Sequence, residues 1–466
     1  MKKKTRSFLD LRLTLASCLV FSLCVANVVA ENFATENVAA ENFESQKPIT
    51  LVVAPPVFHD ALQSWIQFRQ RQGREIFLLA LSARQPDGKF DQGVQTAPIA
   101  SPPELKAKIL KIARERAIEA ILLVGDGAPT NDSKFGWRDV VPAARVPARV
   151  LTVFGCEETL ASDAYYADFD DDGTPDAPIG RIPAKTPDEL RDYIAKVVRY
   201  EEASPVGNWT RKINVVAGPN GLDMQATTSD PNADGSIKNP LFSGLSSLVD
   251  VVVDKMTRRL FSDYLPPEFA LSLTQCSPRS AFCPYPPEFK KTFLERANEG
   301  ALFFVYLGHG NVQSLDALQT SPTNAYELFE IADVAKWKTP DAAPIALFFA
   351  CYTGAFDATI PSLAEECALT PNGPVAALAA SRLSAPYGLC VLGSALMAAA
   401  FDPDDSNEKT LGEIVLKAQR LTTTPVKNEK EENELEIDFE DESTEKTATS
   451  ASDDRWATSS RRGGHQ

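Results

Sequence analysis

Two apolar runs in this sequence end in residues that can react. Leu302-Phe-Phe-Val-Tyr-Leu307 leads straight into Gly308-His309-Gly310, and Ile345-Ala-Leu-Phe-Phe-Ala350 leads straight into Cys351-Tyr352-Thr353-Gly354. A thiolate attacks a carbonyl carbon, an imidazole beside it protonates the leaving amine, and backbone N–H groups stabilise the intervening oxyanion. Gly310 leaves its own N–H unshielded, and the turn at Cys351 can present a second. Either residue alone has an ordinary reading, because a cysteine after a strand is commonly a small buried hydrophobe and a histidine in a glycine turn is commonly structural. Their occurrence on successive strong strands, with glycines at both turns, favours chemistry. Only three histidines are present, His59, His309 and His465. His59 stands where a helix begins and reads as a capping or surface residue, and His465 lies in a polar tail.

For thiol and imidazole to meet, their strands must be neighbours in a parallel sheet, whose ligand crevice lies at the carboxyl ends of the strands. The hydrophobic pattern supplies such a sheet twice. Strand runs at 49–54, 75–81 and 117–124 alternate with helical patterns at 59–72 and 103–115, and a charged amphipathic helix follows at 186–202. Ala203-Ser-Pro-Val-Gly207 has the composition of a linker. Strand runs at 212–216, 301–307, 344–350 and 375–380 then alternate with helical patterns at 287–298, 331–337, 362–369 and 388–401. The expected fold class is α/β, with two doubly wound, mainly parallel subdomains at 48–203 and 208–425. Leu123-Val-Gly-Asp-Gly127 lacks a full Gly-x-Gly-x-x-Gly and reads as a strand-end turn, not a dinucleotide site.

A second cluster is acidic. Asp168-Phe-Asp-Asp-Asp-Gly-Thr-Pro-Asp176 sets carboxylates at alternate positions with glycine at the sixth, an oxygen-rich loop suited to a hard cation such as calcium. Asp168, Asp170, Asp172 and Asp176 are the expected ligands, in a stabilising role; catalysis itself needs no cofactor. An EF-hand would place a bidentate Glu at the twelfth position, where Ile179 stands, so that motif is excluded. The competing reading is an acidic turn between two strands.

The 466 residues exceed one ordinary core, and 47 basic against 63 acidic residues give a net charge of −16. That balance argues against a nucleic-acid or anionic-membrane binder, which needs a basic surface. Lys2, Lys3, Lys4 and Arg6 precede an apolar run at 13–30, which reads as an export signal cleaved before Glu31. Two other readings stay open, retention of the run as a membrane anchor and lipidation at Cys18 within Leu15-Ala-Ser-Cys18; a membrane is a partner only in those cases. Residues 31–47 read as a spacer. Residues 426–466, rich in Glu, Lys, Ser and Thr, read as a disordered acidic tail. Six of the eight cysteines lie beyond the signal, too few and too scattered for a disulfide scaffold, although Cys276 and Cys283 flank a Pro-rich loop that an exported protein could bridge.

Taken together, the blocks ending His-Gly and Ala-Cys resemble those of the caspase-like clan of cysteine peptidases, and the details resemble the gingipain family. The resemblance rests on Ser162-Asp-Ala-Tyr-Tyr-Ala-Asp168, the acidic turn 168–176, Ile179-Gly-Arg-Ile-Pro183, Tyr306-Leu-Gly-His-Gly310, Ala350-Cys-Tyr-Thr-Gly-Ala-Phe-Asp357, Ser362-Leu-Ala-Glu-Glu366 and Pro374-Val-Ala-Ala-Leu-Ala-Ala-Ser381. It spans residues from about 49 to 421. It implies two caspase-like subdomains, Cys351 as nucleophile, His309 as proton donor and organiser, and oxyanion N–H groups from Gly310 and Cys351. It also implies structural calcium, an exported endopeptidase acting on protein or peptide substrates, and Tyr387 as an aromatic wall of the pocket for the residue before the scissile bond. Members specific for basic residues carry an acid in the polar loop after the first strand of the second subdomain; Asp223, Asp230 and Asp234 are available here, and Asp234 is assigned to the pocket. The family's acid near the histidine has no counterpart in Ala217-Gly-Pro-Asn-Gly221, so the expectation is a Cys-His dyad. Two alternatives accompany this reading, a non-catalytic caspase-like scaffold and a peptide ligase using the same thioester.

Overall fold

Six apolar or β-branched residues, Ile49–Ala54, form the buried strand β1 of a computed structural model that describes residues 47–82, 97–98, 101–127, 140–148, 157–203, 207–218, 264–276, 283–321, 324–402 and 409–423. The export signal, the spacer up to residue 46, the carboxyl-terminal tail from 426, and Asp223, Asp230 and Asp234 lie outside the described residues.

Around β1 the strands β2 (Glu75–Ser82), β3 (Ala97–Pro98), β4 (Ile118–Val124) and β7 (Ile179–Ile182) complete a five-stranded sheet in the order β3-β2-β1-β4-β7, parallel throughout. Alternate residues of β1 serve opposite faces, as the two-residue period of a strand requires. Leu51 and Val53 join Leu105 and Ile109 of helix α2 (Pro102–Glu115) on one side. Val52 and Ala54 join Leu62 and Trp65 of α1 (His59–Arg71) and Leu190 and Ile194 of α3 (Pro187–Glu202) on the other. A short antiparallel pair, β5 (Arg145–Pro147) with β6 (Thr159–Ala161), lies outside this sheet.

The second sheet runs β14-β13-β10-β8-β9 and is also parallel throughout, from β8 (Lys212–Ala217), β9 (Ala270–Gln275), β10 (Phe303–Leu307), β13 (Ile345–Phe349) and β14 (Ala376–Ala379). Its central strands are buried on both faces, which is why they read as unbroken apolar runs. Phe304, Tyr306 and Phe348 pack with Phe289 and Phe293 of α4 (Phe289–Asn298) and with Trp337 and Leu363. Phe303, Val305 and Leu347 pack with Leu396 and Met397 of α6 (Pro386–Ala400) and Ala418 of α7 (Leu411–Thr423). Between β10 and β13 an antiparallel pair, β11 (Ala317–Ser321) with β12 (Asn324–Glu327), is inserted. α5 (Leu363–Leu369) starts at Ser362, whose hydroxyl accepts from the Glu365 N–H while the Glu365 carboxylate accepts from the Ser362 N–H, a reciprocal cap.

Described residues up to Arg420 belong to one compact unit that contains both sheets. Lys196 on α3 joins its two halves: the ammonium is buried and donates to the carbonyl oxygens of Ala368, Thr370 and Pro374. The segment expected to be helical at 331–337 is a 3-10 helix over Ile331–Lys336. Cys276 and Cys283 are free thiols and form no bridge, and burial pushes the Cys276 thiol up to about 12. Among the described residues no helix is long and apolar enough to cross a membrane.

Candidate active site

β10 and β13 pair directly, with Leu307 opposite Phe349. Each chain then leaves the sheet by two more residues before presenting a reactive side chain, so His309 and Cys351 emerge at equivalent heights on adjacent strands, both half-buried. Contact between the two turns is close. A Cβ on Gly310 would stand 2.7 Å from Thr353 Cγ2, 3.0 Å from Ala350 Cβ and 3.1 Å from the Cys351 carbonyl oxygen. Glycine at 310 is thus required for the imidazole-bearing and thiol-bearing turns to touch.

The cysteine turn is fixed from three sides. Thr353, fully buried, donates from its hydroxyl to Ala350 O at 3.2 Å, and its carbonyl accepts from the Ala364 N–H at the start of α5. The segment after β14 runs alongside: the Gly354 N–H donates to Ala380 O and the Tyr352 N–H to Arg382 O. Ser384 completes the wrap, its N–H 3.4 Å and its carbonyl oxygen 3.7 Å from Cys351 Sγ.

Tyr352 itself adopts the left-handed region, φ 58°. That conformation costs a non-glycine residue roughly 1–3 kcal/mol and persists only where neighbours over-determine it. Here the Tyr352 hydroxyl donates to Glu157 at 2.9 Å, and burial together with this bond pushes the phenol up to about 12. Arg382, which holds the Tyr352 N–H through its carbonyl, is clamped in turn by two bonds of 2.8 and 2.7 Å to Asp357. The Asp357 carboxylate, 1% exposed, also takes Arg145 from the first half at 2.6 Å. This Arg-Asp-Arg arrangement, buried at Asp357 and open to solvent at Arg145, was not marked by the sequence, because nothing in the local pattern around Arg145 or Asp357 reveals that they meet.

A family model described as Peptidase family C25 matches residues 43–440. The chain belongs to peptidase family C25. Among solved structures, this C25 chain is similar to the Arg-specific cysteine proteinase gingipain R, with a TM-score of 0.53, 14% identity, and coverage of 81% of this chain and 73% of that one. It is likewise similar to the complex of Porphyromonas gingivalis RgpB pro- and mature domains, with a TM-score of 0.51, 14% identity, and coverage of 79% and 73%. A third structure, described only as a protease, gives 0.52 at 18% identity over 80% and 76%. At such identities the likeness establishes the shared fold, the α/β architecture with caspase-like parallel sheets. No curated protein sequence matches the chain.

The other expected residues of this C25 chain fall as follows. Tyr387 is the second residue of α6, three positions after Ser384. Asp168, Asp170 and Asp176 come together, each offering a carboxylate oxygen, with these atoms all within 4.8 Å of one another. Asp168 is 8% exposed, and its Oδ1 has no hydrogen-bond partner, while Oδ2 accepts from the Gly173 N–H at 3.0 Å. A buried carboxylate oxygen left without a donor is costly, and a hard cation satisfies it. Asp172 stands apart from that trio; its carboxylate accepts the Thr174 N–H at 2.6 Å, one bond that the alternate spacing could not reveal. Asp171, at φ 62°, turns outward to pair with Lys106 at 2.5 Å. His59 takes a structural place, its Nε2 3.2 Å from Ala54 O at the end of β1.

Proposed function

We propose that this C25 chain is an exported cysteine endopeptidase in which Cys351 is the nucleophile and His309 its proton donor. The observation that carries this reading is the contact of the two turns across Gly310. Cys351 and His309 leave neighbouring strands at the same height. The sulfur attacks the carbonyl carbon, the carbonyl electron pair moves onto oxygen, and the Gly310 and Cys351 N–H groups receive that oxyanion. His309 gives its proton to the departing amine, leaving a thioester; water activated by the now neutral imidazole then releases the acid and restores the thiol. No cofactor enters these steps.

By this reading, carried from the family resemblance, Tyr387 walls the pocket for the residue before the scissile bond, and Asp234, outside the described residues, is the acid that selects a basic side chain there. The Arg-specificity named for gingipain R supports that preference. Asp168, Asp170 and Asp176 hold a structural calcium ion, for which the orphaned Asp168 oxygen is the support. Protein or peptide substrates are the partners.

Labelling tests the reading. Peptidyl acyloxymethyl ketones carrying Arg, Lys, Asp, Asn or apolar lead residues are expected to add covalent mass to Cys351, most rapidly with Arg or Lys. His309→Ala should abolish this labelling while leaving Cys351 open to a small alkylator. A folded protein that alkylates at Cys351 yet ignores every peptidyl probe would instead make the chain a non-catalytic scaffold, and joined peptides in place of cleaved ones would make it a ligase.

A further inference from the structure

After Gly310 the chain turns back at once: the Asn311 N–H donates to Ser314 O at 2.9 Å, and the Asn311 carboxamide oxygen accepts from the Gln313 and Ser314 N–H groups at 2.9 and 3.0 Å. Gly310 is thereby bridged antiparallel to Leu315. In an antiparallel pair the next residues outward are also opposite and share a face, so His309 faces Asp316 across this hairpin. The hairpin is anchored where it matters. The Tyr306 hydroxyl donates to His309 O at 3.0 Å and accepts from the Asp316 N–H at 3.4 Å, so one buried phenol ties the backbone of both residues. Val312 O accepts the Leu363 N–H at 2.7 Å, fastening the tip to the start of α5.

We infer that Asp316 is the positioning residue of His309, a carboxylate held opposite the imidazole that favours the imidazolium and orients the ring toward Cys351. Its orientation is set by its own neighbour, since Asp316 Oδ1 accepts from the Ala317 N–H at 2.8 Å. Burial pushes the Asp316 carboxyl up, and the charge of His309 and the Ala317 N–H pull it back down. The two side chains therefore sense each other as charges, and stabilisation of one ion by the other is mutual. Among the described residues, Tyr306 and Cys276 also lie close enough to interact with Asp316. Burial raises the Tyr306 phenol well above its ordinary value and the Cys276 thiol to about 12, so both are neutral at neutral pH. This inference rests on the peptidase reading for its catalytic meaning, but the charge coupling is measurable without turnover.

Asp316→Asn is the decisive variant, because Asn keeps an oxygen for the Ala317 N–H and removes only the charge. NMR titration of the His309 ring, assigned by its loss in His309→Ala, is expected to show the pKa about one unit lower in Asp316→Asn. Asp316→Glu should restore most of that shift. With a peptidyl substrate, kcat should fall about tenfold with KM nearly unchanged, and the alkaline limb of the rate profile, where the imidazolium loses its proton, should move to lower pH. An unchanged His309 titration in a folded Asp316→Asn protein would overturn the assignment, whether or not the chain cuts peptides. A parent protein with no peptidase activity but a shifted His309 titration would retire the peptidase reading alone and leave the pairing standing.

Discussion

Ser384 holds the Cys351 sulfur between its N–H at 3.4 Å and its carbonyl oxygen at 3.7 Å. A backbone N–H aimed at sulfur favours the thiolate, the form that attacks. The Ser384 hydroxyl points elsewhere, to Arg382 O at 3.3 Å. Ser384→Ala should therefore leave the rate of Cys351 alkylation within about twofold, whereas Ser384→Pro, which removes the N–H, should slow it about tenfold at neutral pH and raise the apparent thiol pKa by about one unit. Iodoacetamide rate profiles against pH check both; equal slowing in the two variants would mean that the backbone donor does not set the thiol's reactivity.

Gly310 gives a sharper steric test. An added methyl at 310 meets Thr353 Cγ2, Ala350 Cβ and Cys351 O at or below 3.1 Å, and two of these belong to the packed cysteine turn. Gly310→Ala should separate the two turns, cost about 1–3 kcal/mol of stability and lower kcat/KM by about a hundredfold. Removing Thr353 Cγ2 by Thr353→Ser in the same chain should return part of both losses. If Gly310→Ala retains full activity, the contact between the turns is not what brings thiol and imidazole together.

The central strands of both sheets were legible because burial on two faces leaves unbroken apolar runs, as in Ile49–Ala54 and Ile345–Phe349. The edges were not. β9 carries Ser272 and Thr274 among exposed and half-buried neighbours, and β3 is two residues long, so neither announces itself by pattern. His309 and Cys351 were readable as a pair because the sheet itself puts strand ends together. Asp316 was not, since its place depends on a turn of two residues between Asn311 and Ser314, whose register is fixed by side-chain bonds of Asn311. The signal existed, an Asn that can cap a tight turn immediately after His-Gly, and it would have returned the chain to the histidine. Among the five aspartates of the 168–176 turn, Asp168, Asp170 and Asp176 come together while Asp172 bonds the Thr174 N–H, a distinction that alternate spacing alone does not make.

Acid sensitivity should centre on Asp333, buried on the 3-10 helix Ile331–Lys336 and paired with Lys290 of α4 at 3.0 Å and with Lys336 at 2.7 Å. Burial alone would raise its pKa, but the Lys336 and Lys290 ammonium groups outweigh burial and hold the carboxyl below the ordinary range. The unfolded chain then binds more protons than the folded one as pH falls through and below about 4, so the stability this pair contributes is present above that range and is lost on acidification. Asp333→Asn should melt lower than the parent at pH 7 and show a shallower fall in Tm between about pH 5 and 3. Parallel Tm curves for the two proteins would remove Asp333 from the acid response.

Lys196 should report on the joint between the halves. It donates to three carbonyl oxygens at the end of α5 and in the segment after it, and Lys196→Met leaves all three without that donor. Unsatisfied buried acceptors make this loss about 3 kcal/mol, far more than a surface lysine would cost. Denaturant unfolding followed by tryptophan fluorescence gives the difference; a change under about 0.5 kcal/mol would mean that the three carbonyls find water instead.

Calcium gives the test of the acidic turn, with a control inside the turn itself. If Asp168, Asp170 and Asp176 form the site, a ligand that binds only the folded chain stabilises it by about 2.7 kcal/mol at a hundred times its Kd. The parent should therefore melt several degrees higher in calcium than in EDTA, and Asp168→Asn, which removes the charge beside the orphaned oxygen, should lose that difference. Asp172→Asn should keep it, since the Asn oxygen can still accept the Thr174 N–H at the position where Asp172 now does. Magnesium, smaller, stricter in its octahedral geometry and slower to shed its water, should substitute poorly. Identical melting in calcium and EDTA would make the turn a purely structural bend, and loss of the calcium effect in Asp172→Asn as well would place the ion between Asp172 and the trio.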